Sequence, residues 1–97
     1  MHYVVVTRTD ATPDSEMGHY LANVGATLMP FDGRLLAFAA PEKLEGAVAY
    51  TKTAVLEFPS GQTAREWYNS AAYRELATWR IGVMGHPVDF SLVPGVE

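Results

Sequence analysis

The hydrophobic and polar positions change period several times along the chain, and each change marks an element. Residues 2–8 (His-Tyr-Val-Val-Val-Thr-Arg) are β-branched and aromatic, which predicts a strand. Its nearly unbroken apolarity predicts burial on both faces. Thr12-Pro13-Asp14 then predicts a helix start, with Thr12 as N-cap, Pro13 at the first helical position and an acid in the first turn. Met17, Tyr20, Leu21, Val24 and Leu28 follow at helical spacing and form one apolar face. Pro30 ends this helix. Phe31-Asp32-Gly33 supplies a turn, with Gly33 free to take positive φ.

Residues 34–39 predict a second strand, residues 40–50 a loop and residues 51–58 a third strand. Pro59-Ser60-Gly61 breaks that strand, and Ser60 is suited to cap a helix whose apolar face carries Ala64, Trp67, Tyr68 and Ala71. Ser70 is placed to cap a further segment, with Tyr73, Leu76, Ala77 and Arg80 on one side. Gly82, Gly85 and Pro87 are expected to end it. Residues 88–93 alternate apolar and polar and predict a fourth strand.

The resulting order, β-α-β-β-α-β, is the ferredoxin-like pattern, a mixed α+β fold in which both helices cover one face of a four-stranded antiparallel sheet. It also exposes a difficulty. Tyr3 and Val5 oppose Val4 and Val6, and Val55 opposes Leu56 and Phe58, so strands 1 and 3 are apolar on both faces. One small domain (residues 1–97) hides only one of those faces. The expected remedy is a homodimer with its two sheets packed face to face.

Composition narrows the chemistry. The 97 residues include no cysteine, which removes disulfides, thiolate metal sites and thiol catalysis, and fits a reducing, cytoplasmic setting. No apolar run approaches a membrane span, and no basic leader precedes the first strand, so no membrane partner is expected. Seven basic residues stand against eleven acidic ones, a net charge of -4, and the basic residues are scattered; nucleic acid is not an expected partner. Neither a phosphate-binding glycine pattern nor a nucleophile motif is present, so no cofactor is expected. His2, His19 and His86 lack ligand spacing, so no metal is expected; His86, in a Gly-His-Pro turn, is a weak candidate for proton transfer.

The run Val55-Leu56-Glu57-Phe58-Pro59-Ser60, followed by Ala64, Trp67-Tyr68-Asn69-Ser70, Tyr73, Leu76 and Arg80, resembles one bacterial group. That group is the domain of unknown function 1330, within the dimeric α+β barrel superfamily. Tyr20, Gly33-Arg34, Leu44-Glu45-Gly46 and Leu92-Val93-Pro94-Gly95-Val96 extend the resemblance over nearly the whole chain. It departs at Phe38-Ala39-Ala40, where the group commonly has an Arg-Gly-Gly-like stretch, and in residues 81–87. The resemblance implies a ferredoxin-like monomer whose sheet pairs with a second copy to close a barrel, with the helices outside. Superfamily members similar in fold alone include cofactor-independent monooxygenases, isomerases and haem-degrading enzymes, whose ligands commonly sit between sheet and helices. Fold alone does not transfer those activities.

Arg34 and Glu57 are the leading polar candidates. A hairpin turning near residues 45–46 sets them opposite each other, and Glu57 lies between Leu56 and Phe58. A buried carboxylate needs a partner, and removing one member of a buried pair costs roughly 3–5 kcal/mol. The pair is either a polar centre, with Arg34 on an anionic oxygen and Glu57 as base or orienter, or a structural ion pair. Trp67, Tyr68 and Tyr73 are either core or the wall of a ligand site, with a phenol facing the ligand. Arg80 is read as a cation favoured by the helix C-terminus. The expected function is small-molecule binding in an apolar cleft between helices and sheet, with cofactor-independent catalysis as its extension. The alternative is a non-enzymatic homodimeric structural or interaction module. A cleft with Arg34 or a tyrosine turned into it favours the first; full pairing and no cavity favours the second.

Overall fold

The computed structural model describes residues 1–11, 13–85 and 88–96, without the side chains of Asp14 and Met84. The expected N-cap Thr12, the candidate His86 and the expected helix breaker Pro87 lie outside the described residues.

Strand β1 (His2–Arg8) leads through a short 3₁₀ turn (Asp14–Met17) into helix α1 (Gly18–Leu28). A second 3₁₀ turn (Met29–Phe31) precedes strand β2 (Arg34–Ala39), and β3 (Lys52–Phe58) returns antiparallel to it. Helices α2 (Gly61–Tyr68) and α3 (Ala71–Met84) follow, then β4 (Val88–Pro94). The sheet order is β2-β3-β1-β4, with every neighbouring pair antiparallel. The mixed α+β, ferredoxin-like fold is therefore the one the sequence pattern predicts. No helix among the described residues is long and apolar enough to cross a membrane.

Local chemistry explains most boundaries. The Ser60 Oγ accepts from the Thr63 N–H at 3.1 Å, and the Ser60 N–H donates to Thr63 Oγ1 at 3.3 Å. This reciprocal capping box starts α2 immediately after the strand. Ser70 caps α3 in turn, its Oγ accepting from the Tyr73 N–H at 3.3 Å. Three sequence expectations are corrected. Pro13 stands outside the helix, in extended backbone, and regular α-helix begins only at Gly18. Gly82 does not stop α3, which runs to Met84 and ends where Gly85 turns to φ 75°. Asp32, not Gly33, adopts the left-handed conformation, at φ 54°. Gly33 is needed for a different reason: a Cβ there would stand 2.7 Å from Phe58 Cε1 and 2.9 Å from Leu28 Cδ2.

The register of the sheet sorts its side chains into two faces. Val4, Leu56, Phe58 and Leu92 face the helices; Tyr3, Val5, Val55, Glu57 and Val93 face away. The core lies on the helix side. Phe58, Trp67 and Tyr73 are its largest fully buried side chains, with ring centroids 4.2 Å apart for Trp67–Tyr73 and 5.4 Å for Phe58–Trp67. The Trp67 Nε1–H donates to Thr27 Oγ1 at 3.0 Å, and Thr27 donates to the Val24 carbonyl at 2.7 Å. The one polar atom of the indole is thus satisfied inside the core. No helix among the described residues packs on the opposite face of the sheet.

Candidate functional site

The helix layer and the sheet leave a cavity of about 360 Å³ between them. Val6, Ala54, Leu56 and Phe90 form its floor on the sheet, while Tyr20, Leu21 and Val24 form the α1 wall. Leu35 and Phe38 close one side from β2, and Arg80 reaches in from α3. The lining is overwhelmingly apolar, which is the usual character of a small-molecule site.

Its polar groups are few and mostly cationic. Arg8 and Lys52 are paired in register at the end of β1 and β3, and both line the cavity. The Arg8 Nε–H donates to Asp10 Oδ1 at 3.2 Å, and the Lys52 ammonium lies 4.8 Å from the centre of the Phe38 ring. Three of the chain's seven basic residues therefore meet around one cavity in a protein of net charge -4. No carboxylate among the described residues lines it.

Arg80 is buried, at 7 % exposure, as is Arg8, at 8 %. The wholly buried Arg80 Nε–H has no hydrogen-bond partner among the described residues. The aromatic rings of Phe90 (5.1 Å) and Tyr20 (5.9 Å) lie beside the guanidinium. Such ring contacts offset part of the cost of burying the charge, but they do not satisfy a directed donor.

Two phenols sit next to this cation. The hydroxyls of Tyr20 and Tyr73 are 2.8 Å apart, with Tyr20 on the cavity wall and Tyr73 fully buried behind it. Burial pushes both above the ordinary phenol value of 10.0, and Arg80 draws both part of the way back. Their mutual contact acts oppositely on the two, raising Tyr73 further and lowering Tyr20. Both therefore stay protonated at neutral pH and serve as hydrogen-bond groups rather than charges.

The structure separates the residues singled out in the sequence. Arg34 and Glu57 do meet, opposite each other in the β2–β3 ladder, with Nη2 and Oε1 3.1 Å apart. They lie on the sheet face away from the helices and do not line the cavity. Their expected burial is corrected for the arginine, whose side chain is 69 % exposed against 15 % for the glutamate. Leu56 and Phe58 turn inward, so strand alternation sends Glu57 outward. Trp67 and Tyr73 are core, and Tyr68 packs on Tyr73 with the Arg74 guanidinium 4.2 Å from its ring centre. Tyr68 lines a shallower hollow of about 200 Å³ beside β4.

Sequence reasoning selected none of the cavity's polar lining residues, Arg8, Tyr20, Lys52 and Arg80, as site residues, and two of them, Tyr20 and Arg80, stood at informative positions. Both carried a signal. Tyr20 stands in the apolar repeat of α1, and a phenol there brings a hydroxyl into the core. Arg80 shares a helix face with the buried residues Tyr73, Leu76 and Ala77, which places a cation inside rather than at a solvated helix end.

Comparison with known proteins matches this geometry at the level of the fold. A protein of unknown function from Rhodopseudomonas palustris is similar over 99 % of this chain and 83 % of its own, with 15 % identity and a TM-score of 0.71. A protein from Arabidopsis thaliana is similar over 100 % and 97 %, with 14 % identity and a TM-score of 0.70. SnoaB, a cofactor-independent oxygenase from Streptomyces nogalater solved in a mutant form, is similar over 99 % and 92 %, with 13 % identity and a TM-score of 0.58. These likenesses show the fold, a mixed α+β arrangement with a four-stranded antiparallel sheet. No curated protein matches it in sequence. The sequence profile of one family does match, over residues 2–96, and by that match the chain belongs to the family called domain of unknown function, DUF1330.

Proposed function

We propose that this protein binds a small, mainly apolar molecule in the cavity between α1 and the sheet, and does so as a homodimer. One observation carries the binding reading: a buried cation, Arg80, stands in the wall of a largely apolar cavity of about 360 Å³ that no carboxylate among the described residues lines. A charge buried without a counter-charge is costly, and an anionic group brought by a ligand offsets that cost. In this reading Tyr73 acts behind Tyr20, Trp67 holds the helix layer at its distance from the sheet, and Tyr68 packs against Tyr73. The cofactor-independent oxygenase from Streptomyces nogalater supports chemistry on such a scaffold by likeness of fold alone.

The homodimer rests on the uncovered sheet face. Tyr3, Val5 and Val55 lie side by side there on the two central strands, half-buried in the single chain, with Val93 exposed beside them. A second copy of the same face is a self-complementary cover for it. Arg34 and Glu57 lie on this face, which gives them a role in orienting the two copies. The module reading, in which the dimer surface is the whole function, shares this half of the proposal.

Native mass spectrometry of untagged protein tests both halves. The expected result is a dimer carrying extra mass that denaturation releases, with that mass lost in Arg80→Gln. A clean dimer, for wild type purified gently and at high concentration, would favour the module reading over the binding site.

A further inference from the structure

We infer that the ligand of this cavity is a small hydrophobic carboxylate built on one or two rings, its carboxylate held by the Arg80 guanidinium and the Tyr20 hydroxyl, with Tyr73 as the positioning residue. The inference rests on reading the cavity as a binding site and adds the chemical class and the donor geometry.

The geometry begins with the two phenols. Each hydroxyl has a single proton to donate. Tyr73 is wholly buried, and the Tyr20 hydroxyl, 2.8 Å away, is the partner its own hydroxyl has among the described residues. Were Tyr20 the donor, the Tyr73 proton would be left inside the core without an acceptor, an arrangement buried polar groups avoid. Tyr73 therefore donates and Tyr20 accepts. The Tyr20 proton is then released toward the cavity that its side chain lines. Burial keeps both phenols protonated, so this polarity holds across the neutral range.

Beside that hydroxyl is the guanidinium of Arg80, which lines the same cavity and hydrogen-bonds the Tyr20 phenol. Its Nε–H is wholly buried, which leaves the terminal N–H groups as the donors a ligand reaches. A cationic and a neutral donor thus stand side by side, and no carboxylate among the described residues lines the cavity. Two donors suit the two oxygens of a carboxylate. A phosphate would bring more oxygens and more charge, and the remaining apolar lining would leave those oxygens unsatisfied. The other two cations of the cavity are already engaged, Arg8 by Asp10 and Lys52 over the Phe38 ring.

The rest of the ligand is set by volume and lining. A space of about 360 Å³ is at the small end of ligand cavities, which run roughly from 300 to 1,000 Å³. That admits a compact ring system and not a long acyl chain. The rings of Tyr20, Phe38 and Phe90 in the wall offer edges and faces for an aromatic body.

The test uses 2-naphthoate and its methyl ester as probes, titrated calorimetrically into the intact wild-type protein. The acid is expected to bind one per chain and the ester at least about tenfold more weakly, since hydrogen bonds to charged groups are about twice as strong as neutral ones. Tyr20→Phe is expected to weaken the acid by roughly five- to tenfold and Tyr73→Phe by about threefold, each with a smaller effect on the ester. Selective loss of the acid separates positioning from a general loosening of the fold. Arg80→Lys keeps the charge while removing the planar set of guanidinium donors, and is expected to weaken the acid about tenfold; it serves if Arg80→Gln fails to fold. Equal binding of acid and ester would overturn the carboxylate assignment and leave a neutral-molecule site standing. Equal binding of the acid by wild type and both tyrosine variants would overturn the donor geometry. Binding of neither probe by folded protein would overturn the class, and if native mass spectrometry also found no retained mass, the binding reading would go with it.

Discussion

Gly33 shows how a residue's necessity and its backbone can be different matters. Its φ is unremarkable, and the left-handed turn position belongs to Asp32, a residue type that tolerates that region. The constraint is the Phe58 ring and the Leu28 methyl, which occupy the space a Cβ at this position would need. Gly33→Ala is therefore expected to overpack a fully buried ring and to cost about 1–3 kcal/mol in urea unfolding. Asp32→Gly, by contrast, should leave stability nearly unchanged. The phenol pair makes a second residue-scale prediction. Tyr20 and Tyr73 have folded-state values above 10.0, the value expected of an unfolded phenol. Below that pH both states keep the protons and the contribution is complete. As pH rises past about 10, the unfolded chain loses phenolic protons that the folded core retains, so stability falls with pH. Melting temperature measured from pH 8 to 11 should drop more steeply in wild type than in the Tyr20→Phe/Tyr73→Phe double variant; parallel curves would refute this.

At the scale of the elements, helix α3 carries the most useful discrepancy. Glycine at position 82 reads as a stop signal because it weakens helix locally. The helix continues through it to Met84 because Tyr73, Leu76, Ala77 and Arg80 commit the preceding turns to the core. Burial of one face overrides a single poor residue. A Cβ at Gly82 would meet nothing within 4 Å, so Gly82→Ala should stabilise the protein by about 0.5–1 kcal/mol, seen as a higher melting temperature. The same comparison shows what the sequence could and could not convey. Strand alternation and the Ser60 and Ser70 caps are local signals, and the strands and both later helices follow them. The Arg34–Glu57 register was legible too, because a hairpin constrains opposite residues. The site was less so. A cavity is created by how far the helix layer stands off the sheet, and that distance depends on packing among Trp67, Tyr73 and Phe58, residues far apart in the chain. The sequence placed Arg80 on the buried face, yet treating it as a helix-end cation hid its meaning.

At the scale of the whole molecule, the uncovered sheet face decides what the protein is in solution. In the separate chain the Arg34–Glu57 pair has an exposed arginine, and such a pair contributes no more than about 1 kcal/mol. Arg34→Ala should therefore scarcely move the stability of a monomer. Between two sheets the same arginine is desolvated, and its loss weakens association instead. Val55 gives the sharper test. It stands on central strand β3 with Val5 opposite it on β1, on the face that no helix covers. Val55→Asp leaves the helix-side core untouched, so each chain keeps its fold, but in a face-to-face dimer it buries a carboxylate against apolar side chains, a cost of several kcal/mol. Light scattering after size exclusion is expected to give a dimer for wild type and a folded monomer for Val55→Asp, with matching helix signal by circular dichroism. A wild-type protein that stays monomeric at high concentration would remove the dimer from this account. The cavity would remain, because its lining lies on the other side of the sheet.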